Sequence, residues 1–310
     1  MTPVNAGDRS SSQVSVHSET PAVPRLLSIA GSDSSGGAGI QADIKTFSAH
    51  GGYAMTAITA ITAQNTLGVS AVEALTPELV AAQIDAVFAD PGVDAVKIGM
   101  LANGGIVAAV AGCLRAATVA AGAALPIVLD PVMIAKSGDA LLDADAVDQL
   151  QRLFPLATLL TPNLPEAQRL DGTPGGGADG RGATLEARER LLRRLGERCA
   201  AVLLKGGHAE GDEVADLLWD GSSVHRFVHS RIVSRSTHGT GCSLSSAIAA
   251  RLGRGETLAA AVSGAIDWLH EAIARAIPIG AGVGPVDHFW RQRRGGSAAQ
   301  GGREGGGCFA

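Results

Sequence analysis

Aromatic residues are scarce in this sequence and make up only 3% of its 310 residues. A buried core must therefore be filled by Ala, Val, Leu and Ile, and the hydrophobic fraction of 46% is large enough to form one. A chain of this length fits a single large α/β domain. We therefore expect one domain with a large buried sheet.

Positive charge is also limited. Lys and Arg number 25 against 30 Asp and Glu, so the net charge is -5, and no basic stripe or alternation of Arg with aromatic residues occurs. Such a chain does not suit a nucleic-acid backbone. Apolar stretches stay well below the ~20 residues that a membrane-spanning helix needs. We expect neither nucleic acid nor a membrane as a partner.

Cysteine is rare as well. The four cysteines are Cys113, Cys199, Cys242 and Cys308. They have neither the CxxC spacing of a metal site nor the density of a disulfide scaffold. The N-terminus lacks the basic segment and apolar run of a secretory signal. These absences favour a reducing cytoplasm.

Composition changes at both ends of the chain. Residues 1–24 are rich in Ser, Thr and Pro, and residues 293–310 are rich in Gly. We predict that both are disordered extensions of a folded domain at 25–292. The stretch 172–182, GTPGGGADGRG, is interpreted as a flexible surface loop, because it lacks the Lys and the Ser or Thr of a phosphate loop.

Short β-branched runs alternate with longer Ala- and Leu-rich stretches, a pattern typical of parallel strands connected by helices. The predicted strands are 26–30, 54–59, 95–98, 127–130, 158–160 and 201–205. The predicted helices are 38–49, 78–88, 105–121, 144–153, 165–170, 185–198, 241–251 and 257–276. Two runs within 214–233 flank Asp220-Gly221-Ser222 and predict an antiparallel hairpin at a sheet edge.

The strongest local signal is the segment STHGTGC at 236–242, which opens a predicted helix. Its glycines let successive N–H groups face one point, and the helix N-terminus adds positive potential, so phosphate oxygens fit there. An ordinary Gly-rich helix start explains the segment equally well. The segment is not a P-loop, since GxxxxGK[ST] is absent, and Leu244 replaces the third glycine of a dinucleotide fingerprint.

Two segments together resemble the signatures of hydroxymethylpyrimidine/phosphomethylpyrimidine kinases, namely AGSDSSGGAGIQAD at 30–43 and THGTGC at 237–242. Six further blocks follow in the order of that family: AQNT at 63–66, KIGML at 97–101, DPVM at 130–133, AKSGD at 135–139, TPNLPE at 161–166 and KGGH at 205–208. The resemblance covers residues 25–291. It implies a ribokinase-like three-layer α/β/α sandwich with a mostly parallel central sheet.

The resemblance also implies an activity. Such an enzyme transfers phosphate from ATP, with Mg²⁺, to 4-amino-5-hydroxymethyl-2-methylpyrimidine and then to the monophosphate, in thiamine biosynthesis. A homodimer is implied too. A pyridoxal kinase is the alternative, because pyridoxal is also a flat ring with a hydroxymethyl group, although Gln64 and Met100 favour the pyrimidine. A binding protein that has lost turnover is a further hypothesis, against which the intact GTGC run argues.

For the substrate, the resemblance implies that Gln64 binds the aminopyrimidine edge with its amide. Two apolar side chains, Met100 and Val132, would pack on the ring. The backbone of Gly31, Ala38 and Gly39 would lie near the hydroxymethyl group. Asp43, on the first helix, would receive the substrate hydroxyl. From the residues alone, a surface amide is the favoured interpretation of Gln64, and Asp43 could be a solvated helix carboxylate; the context of the matching blocks reverses the interpretation of Gln64.

For the nucleotide and metal, the resemblance implies that Asn163 and Glu166 organise Mg²⁺ around the phosphates, with Asp130 as a further oxygen ligand. Asn163 and Glu166 could instead be a helix-capping pair. Lys205 and Thr237 would contact the nucleotide.

For catalysis, the resemblance implies that Gly239, Thr240 and Gly241 form an anion hole and that Cys242 is the base. Sugar kinases of the wider superfamily have Asp at the position of Cys242. A helix N-terminus is expected to lower the pKa of this thiol from its usual ~8.5, so that a thiolate can accept the hydroxyl proton. A small buried cysteine that only fills space is the alternative.

Overall fold

The computed structural model describes residues 23–122, 124–134, 138, 141–143, 146–172, 183–207 and 211–293. The predicted extensions at 1–24 and 293–310 and the predicted surface loop at 172–182 lie almost wholly outside these residues, as does most of the block at 135–139. Within the described residues, no helix has the combined length and apolar character that crossing a membrane requires.

Ten strands are found in the described part of the chain: β1 Arg25–Ala30, β2 Tyr53–Ile58, β3 Ala60–Gln64, β4 Val69–Ala74, β5 Ala95–Ile98, β6 Ile127–Leu129, β7 Leu159–Leu160, β8 Val202–Leu204, β9 Glu213–Trp219 and β10 Val224–Ser230. Eight of them form one sheet in the order β10-β9-β8-β7-β6-β5-β1-β2. Within this sheet, only the β8–β9 and β9–β10 pairs are antiparallel. The mostly parallel sheet is confirmed, and so is the predicted hairpin at its edge.

Eight α-helices occur in the same described part: α1 Gly39–Ala49, α2 Pro77–Ala89, α3 Gly104–Ala121, α4 Ala146–Leu150, α5 Leu164–Asp171, α6 Leu185–Gly196, α7 Thr240–Leu252 and α8 Leu258–Ala274. Neighbouring residues of the sheet point to opposite faces. On β1, Leu26 joins an apolar cluster with α1, α7 and α8, whereas Leu27 joins a second cluster with α2 to α6. Helices therefore cover both faces, and the three-layer α/β/α fold is confirmed.

Most predicted elements begin and end within one or two residues of the observed ones. The predicted helix at 144–153 is an exception. It is the short α4 followed by a 3₁₀ helix, Gln151–Leu156, that contains Pro155. Proline has no N–H and clashes with the preceding turn, so a longer α-helix cannot form there. The separate antiparallel pair of β3 and β4 was not predicted, because β4 is almost entirely exposed and carries no apolar alternation.

Two buried histidines lie in the helical layer formed by α1, α7 and α8. His50 Nδ1 donates to Thr46 O at 3.0 Å, and its ring meets that of Trp268 edge-on. His288 Nε2 lies 2.9 Å from Ser243 Oγ. Burial lowers the pKa of His50 to about 4 and that of His288 to about 4. Both rings are therefore neutral in the folded protein at mildly acidic pH.

This burial predicts a loss of stability in acid. The unfolded chain protonates each histidine near pH 6.5 but the folded protein only near pH 4, so the free energy of unfolding falls as pH drops through that window. Each histidine contributes a slope of about 1.4 kcal/mol per pH unit. His288→Gln, whose amide can still meet Ser243, should lower the slope by about that amount in urea unfolding between about pH 6 and 5, where the unfolded chain is protonated at this histidine and the folded protein is not. An unchanged slope would contradict the assignment.

Candidate active site

A cavity of about 630 Å³ opens at the carboxyl ends of β1, β5, β6, β7 and β8. This is the edge where open α/β sheets bind ligands, because the strands end there and the following loops diverge. The N-terminus of α7 and its preceding loop also line it. The cavity therefore brings together segments from the whole length of the domain.

All of the predicted site residues except Asp43 line this cavity. They are Gly31, Ala38, Gly39, Gln64, Met100, Asp130, Val132, Asn163, Glu166, Lys205, Thr237, Gly239, Thr240, Gly241 and Cys242. Their shared location agrees with one site that holds a ring and a phosphoryl donor side by side. Their individual roles remain predictions.

Asp43 is the correction. Its side chain is fully buried, and its carboxylate is bound by Lys97 Nζ at 2.8 Å, Ser28 Oγ at 2.5 Å and Ser246 Oγ at 2.7 Å. These three partners belong to β5, β1 and α7, so Asp43 points inward from α1 and not into the cavity. The prediction that it receives the substrate hydroxyl is therefore wrong. Lys97 forms a salt bridge with Asp43, and of these two residues only Lys97 lines the cavity.

Cys242 lies in the first turn of α7 and reaches the cavity wall. The expected lowering of its pKa is not found. Burial raises the pKa of the thiol to about 11, and the carboxylates of Asp43 and Asp130 act in the same direction. Lys97 and the Gly39 N–H, which donates to the sulfur, oppose this rise only in part. The group is therefore a neutral thiol at pH 7.

The loop before α7 has the geometry of an anion site. Gly239 is the N-cap of α7 with a φ of +75°, and no side chain caps the helix. The N–H groups of the first turn are thus left without a side-chain acceptor, which is the arrangement that phosphate oxygens satisfy. Lys205 Nζ lies beside the first turn, 3.3 Å from where a Cβ on Gly241 would be. Its charge is paired with Asp130, whose Oδ2 lies 3.4 Å from the same Cβ position, so an ion pair lies beside the first turn.

Two carboxylates, those of Asp130 and Glu166, line the cavity near Lys205. Asp130 Oδ1 accepts from Lys205 Nζ at 2.7 Å. Asn163 and Glu166 form a capping box on α5, with Glu166 Oε2 2.8 Å from Asn163 N and Asn163 Oδ1 2.9 Å from Glu166 N. The capping alternative is therefore correct, yet both residues also line the cavity. Burial and the charge of Asp130 raise the pKa of Glu166 to about 7, against the effect of Lys205.

Several cavity residues were not singled out from the sequence. Asp33 and His238 stand inside the two recognised signatures, where an ionisable residue within a segment rich in Gly, Ser and Thr was an available signal. Asp216, His229 and His270 line the far end of the cavity, where the two imidazole rings meet edge-on with centroids 5.2 Å apart. They come from β9, β10 and α8, and only the folding of the edge hairpin brings them to the site.

The fold and the cavity define a small-molecule kinase of the ribokinase-like class. Solved structures agree with this class. The pyridoxal kinase of Bacillus subtilis, solved as an ADP complex, is 31% identical, with a TM-score of 0.77 over 88% of this chain and 100% of that one. A phosphomethylpyrimidine kinase from Clostridium difficile is 40% identical, with a TM-score of 0.68 over 81% and 99%.

The chain belongs to the phosphomethylpyrimidine kinase family, whose sequence model matches residues 33–287. The hydroxymethylpyrimidine/phosphomethylpyrimidine kinase of Rhizobium meliloti is 52% identical over 268 residues, which are 86% of this chain and 97% of the relative. The enzyme of the same name from Escherichia coli is 47% identical over 266 residues, covering 85% and 96%. The predicted family and kinase class are confirmed.

Proposed function

We propose that this protein phosphorylates 4-amino-5-hydroxymethyl-2-methylpyrimidine with ATP, and then phosphorylates the monophosphate to the diphosphate, for thiamine diphosphate synthesis. The observation that carries the proposal is that one cavity holds the Gln64 and Met100 side chains together with the anion loop that ends at Cys242. The first group suits the edge and face of a flat heteroaromatic ring. The second suits a phosphoryl group in transfer.

The chain's own residues can supply most of what phosphoryl transfer needs, which is positioning and charge neutralisation. The hydroxymethyl oxygen forms a bond to the γ-phosphorus while the bond from that phosphorus to the β-γ bridging oxygen breaks. The first turn of α7 and Lys205 stabilise the charge on the moving group. The hydroxyl proton passes to Cys242 in its thiolate form. Because its pKa is about 11, that form is a small fraction at pH 7.

Mg²⁺ fits the carboxylates at the nucleotide side. It is a hard cation that takes one or two protein carboxylates and completes its shell with phosphate oxygens and water. Asp130 and Glu166 provide such a pair, and no cluster of three or more His, Cys, Asp or Glu in the described residues would hold a metal unaided. When bound, Mg²⁺ neutralises phosphate charge. We propose that Asp130 and Glu166 hold it through oxygen ligands.

Glu166→Gln tests this metal role. Glutamine still fits the capping box, so α5 should stay folded. We expect the Mg²⁺ concentration for half-maximal activity to rise about tenfold, the lower end of the effect of removing a metal partner. The measurement is a Mg²⁺ titration of ADP release at saturating ATP, with a melting curve as the control for folding. An unchanged Mg²⁺ requirement would mean that Glu166 only caps the helix.

The test of the proposed function is ADP release with Mg-ATP and three substrates in parallel, namely hydroxymethylpyrimidine, its monophosphate and pyridoxal. Turnover of both pyrimidines with little turnover of pyridoxal is the expected result. Preferential turnover of pyridoxal would favour the alternative, for which the likeness to the B. subtilis pyridoxal kinase is a specific reason. Saturable pyrimidine binding without ADP would identify a binding protein.

We also propose that the protein is a cytoplasmic homodimer. The hairpin of β3 and β4 supports the dimer, since it exposes the apolar side chains of Ile61, Leu67 and Val72. Ile61 lies on β3, the strand that also carries Gln64. The described cysteines Cys113, Cys199 and Cys242 are unpaired, as a reducing compartment requires. Light scattering of the wild type and of Val72→Lys would test the dimer, and a wild-type mass of 31.2 kDa would contradict it.

A further inference from the structure

Two loops that contact each other line the cavity. We call residues 31–39, between β1 and α1, the ring loop, and residues 237–242, which run into α7, the phosphoryl loop. A buried charge-assisted hydrogen bond joins them, from His238 Nε2 to Asp33 Oδ2 at 2.8 Å, beside the bond from Gly39 N–H to the sulfur of Cys242. Asp33 is 1% exposed and His238 is 6% exposed. Neither residue has a role in the function proposed above.

Asp33 organises the ring loop. One carboxylate oxygen accepts from the N–H and hydroxyl of Ser35 at 2.9 and 2.7 Å. The other accepts from the N–H groups of Gly37 and Ala38 at 3.1 and 2.7 Å. Burial opposes ionisation, but His238 and these donors lower the pKa of Asp33 to about 2. The carboxylate can therefore only accept, and His238 Nε2 carries the proton between them.

The two loops also touch through their backbones. A Cβ on Gly37 would overlap the imidazole ring of His238, and a Cβ on Gly239 would overlap the carbonyl oxygen of Gly37. His238 N donates to Gly284 O at 2.9 Å, which anchors the phosphoryl loop from behind. With no space between the loops and a charged hydrogen bond across them, neither can shift without the other.

The ring loop in turn holds Gln64. Ser34 Oγ donates to Gln64 O at 2.8 Å and accepts from Gln64 N at 2.8 Å. Ser34 follows Asp33 in the chain. Bonded groups therefore connect the phosphoryl loop, through Asp33 and Ser34, to Gln64, which is expected to bind the edge of the pyrimidine ring. The position of Gln64 thus depends on the position of the phosphoryl loop.

We propose that Asp33 and His238 are positioning residues that lock the ring loop to the phosphoryl loop, so that nucleotide and pyrimidine each strengthen the binding of the other. The inference rests on the proposed function for the identity of the two ligands. Its physical basis is that the two loops are bonded to each other, so a ligand that holds one loop also holds the other in the position that the second ligand needs.

The experiment measures pyrimidine affinity by calorimetry with and without a non-hydrolysable ATP analogue and Mg²⁺. In the wild type the analogue should tighten pyrimidine binding about tenfold, within the usual range of such coupling. His238→Ala should reduce that factor to below about twofold. His238→Gln, whose amide can still donate to Asp33, should keep a part of it.

Lys45→Met is the matched control. Lys45 Nζ donates to Gly36 O at 2.6 Å, so this variant loosens the ring loop from α1 without touching the contact with His238. It should weaken pyrimidine binding and leave the coupling factor unchanged. Full coupling in His238→Ala, or loss of coupling in Lys45→Met, would overturn the proposal.

Hydrogen exchange without any ligand separates this proposal from the function. In His238→Ala the N–H groups of Gly37 and Ala38 should exchange faster than in the wild type, while those of α8 keep their rates. Unchanged exchange at these two positions would show that the pair does not lock the loops. If the wild type binds no pyrimidine, the proposed function fails, and the exchange rates still decide the role of the pair.

Discussion

Replacing Cys242 by Ala is expected to lower kcat by about 10² to 10⁴, the range of a general base, with little change in the KM for ATP. The thiol lies at the start of α7 on the cavity wall, with the ring loop opposite it. Single-turnover ADP formation, which isolates the chemical step, is the measurement. A loss below threefold would mean that Cys242 only fills space.

Two companion variants distinguish a base from a positioning group. Because the pKa of the thiol is about 11, wild-type kcat should rise with pH between 7 and 9. Cys242→Ser should be as slow as Cys242→Ala, since a hydroxyl does not ionise in this range. Cys242→Asp should retain activity with a flatter profile, because its carboxylate is the base at neutral pH. Equal slopes in the Asp variant and the wild type would refute this role.

Asp43→Asn is expected to cost about 3–5 kcal/mol of unfolding free energy, because it leaves the Lys97 ammonium buried without its counter-ion. Both side chains are fully buried, and Nζ lies 2.8 Å from Oδ2. Urea unfolding monitored by circular dichroism is the measurement. The same variant should lower activity through displacement of Lys97, which lines the cavity.

The controls for Asp43 compare charge pairs. Glu271→Gln breaks the exposed pair with Arg275 on α8 and should cost less than about 1 kcal/mol. Asp43→Asn combined with Lys97→Met removes both buried charges and should recover a part of the loss. A cost for Asp43→Asn as small as that for Glu271→Gln would show that the buried pair contributes no more than a surface pair.

Most of the fold is predictable because its elements carry local patterns. Compact apolar runs such as β5 are buried on both faces, and helices such as α3 begin at a capping side chain, Asn103. Where local pattern is weak, prediction failed. Strand β4 of the β3–β4 hairpin has no buried apolar face, and Pro155 lies in the 3₁₀ helix that replaces the end of a predicted α-helix.

The residues that line the cavity were predictable for a different reason. Its residues stand in short segments that follow strand ends or open a helix, and parallel strands place all such segments at one edge. What failed was the direction of one side chain. Asp43 follows the loop that lines the cavity, but it lies on the face of α1 that also carries Phe47, and that face is buried against the sheet.

By itself the sequence determined the layers of the domain, because they follow from the periodicity of apolar residues. It also determined the family and the residues around the cavity, because these follow from short contiguous motifs. The tertiary structure alone decided which charges meet. Asp43 and Ser246 are 203 residues apart, and Asp33 and His238 are 205 apart. The raised pKa of Cys242 has the same origin, since burial and the approach of distant charges arise only when the chain is folded.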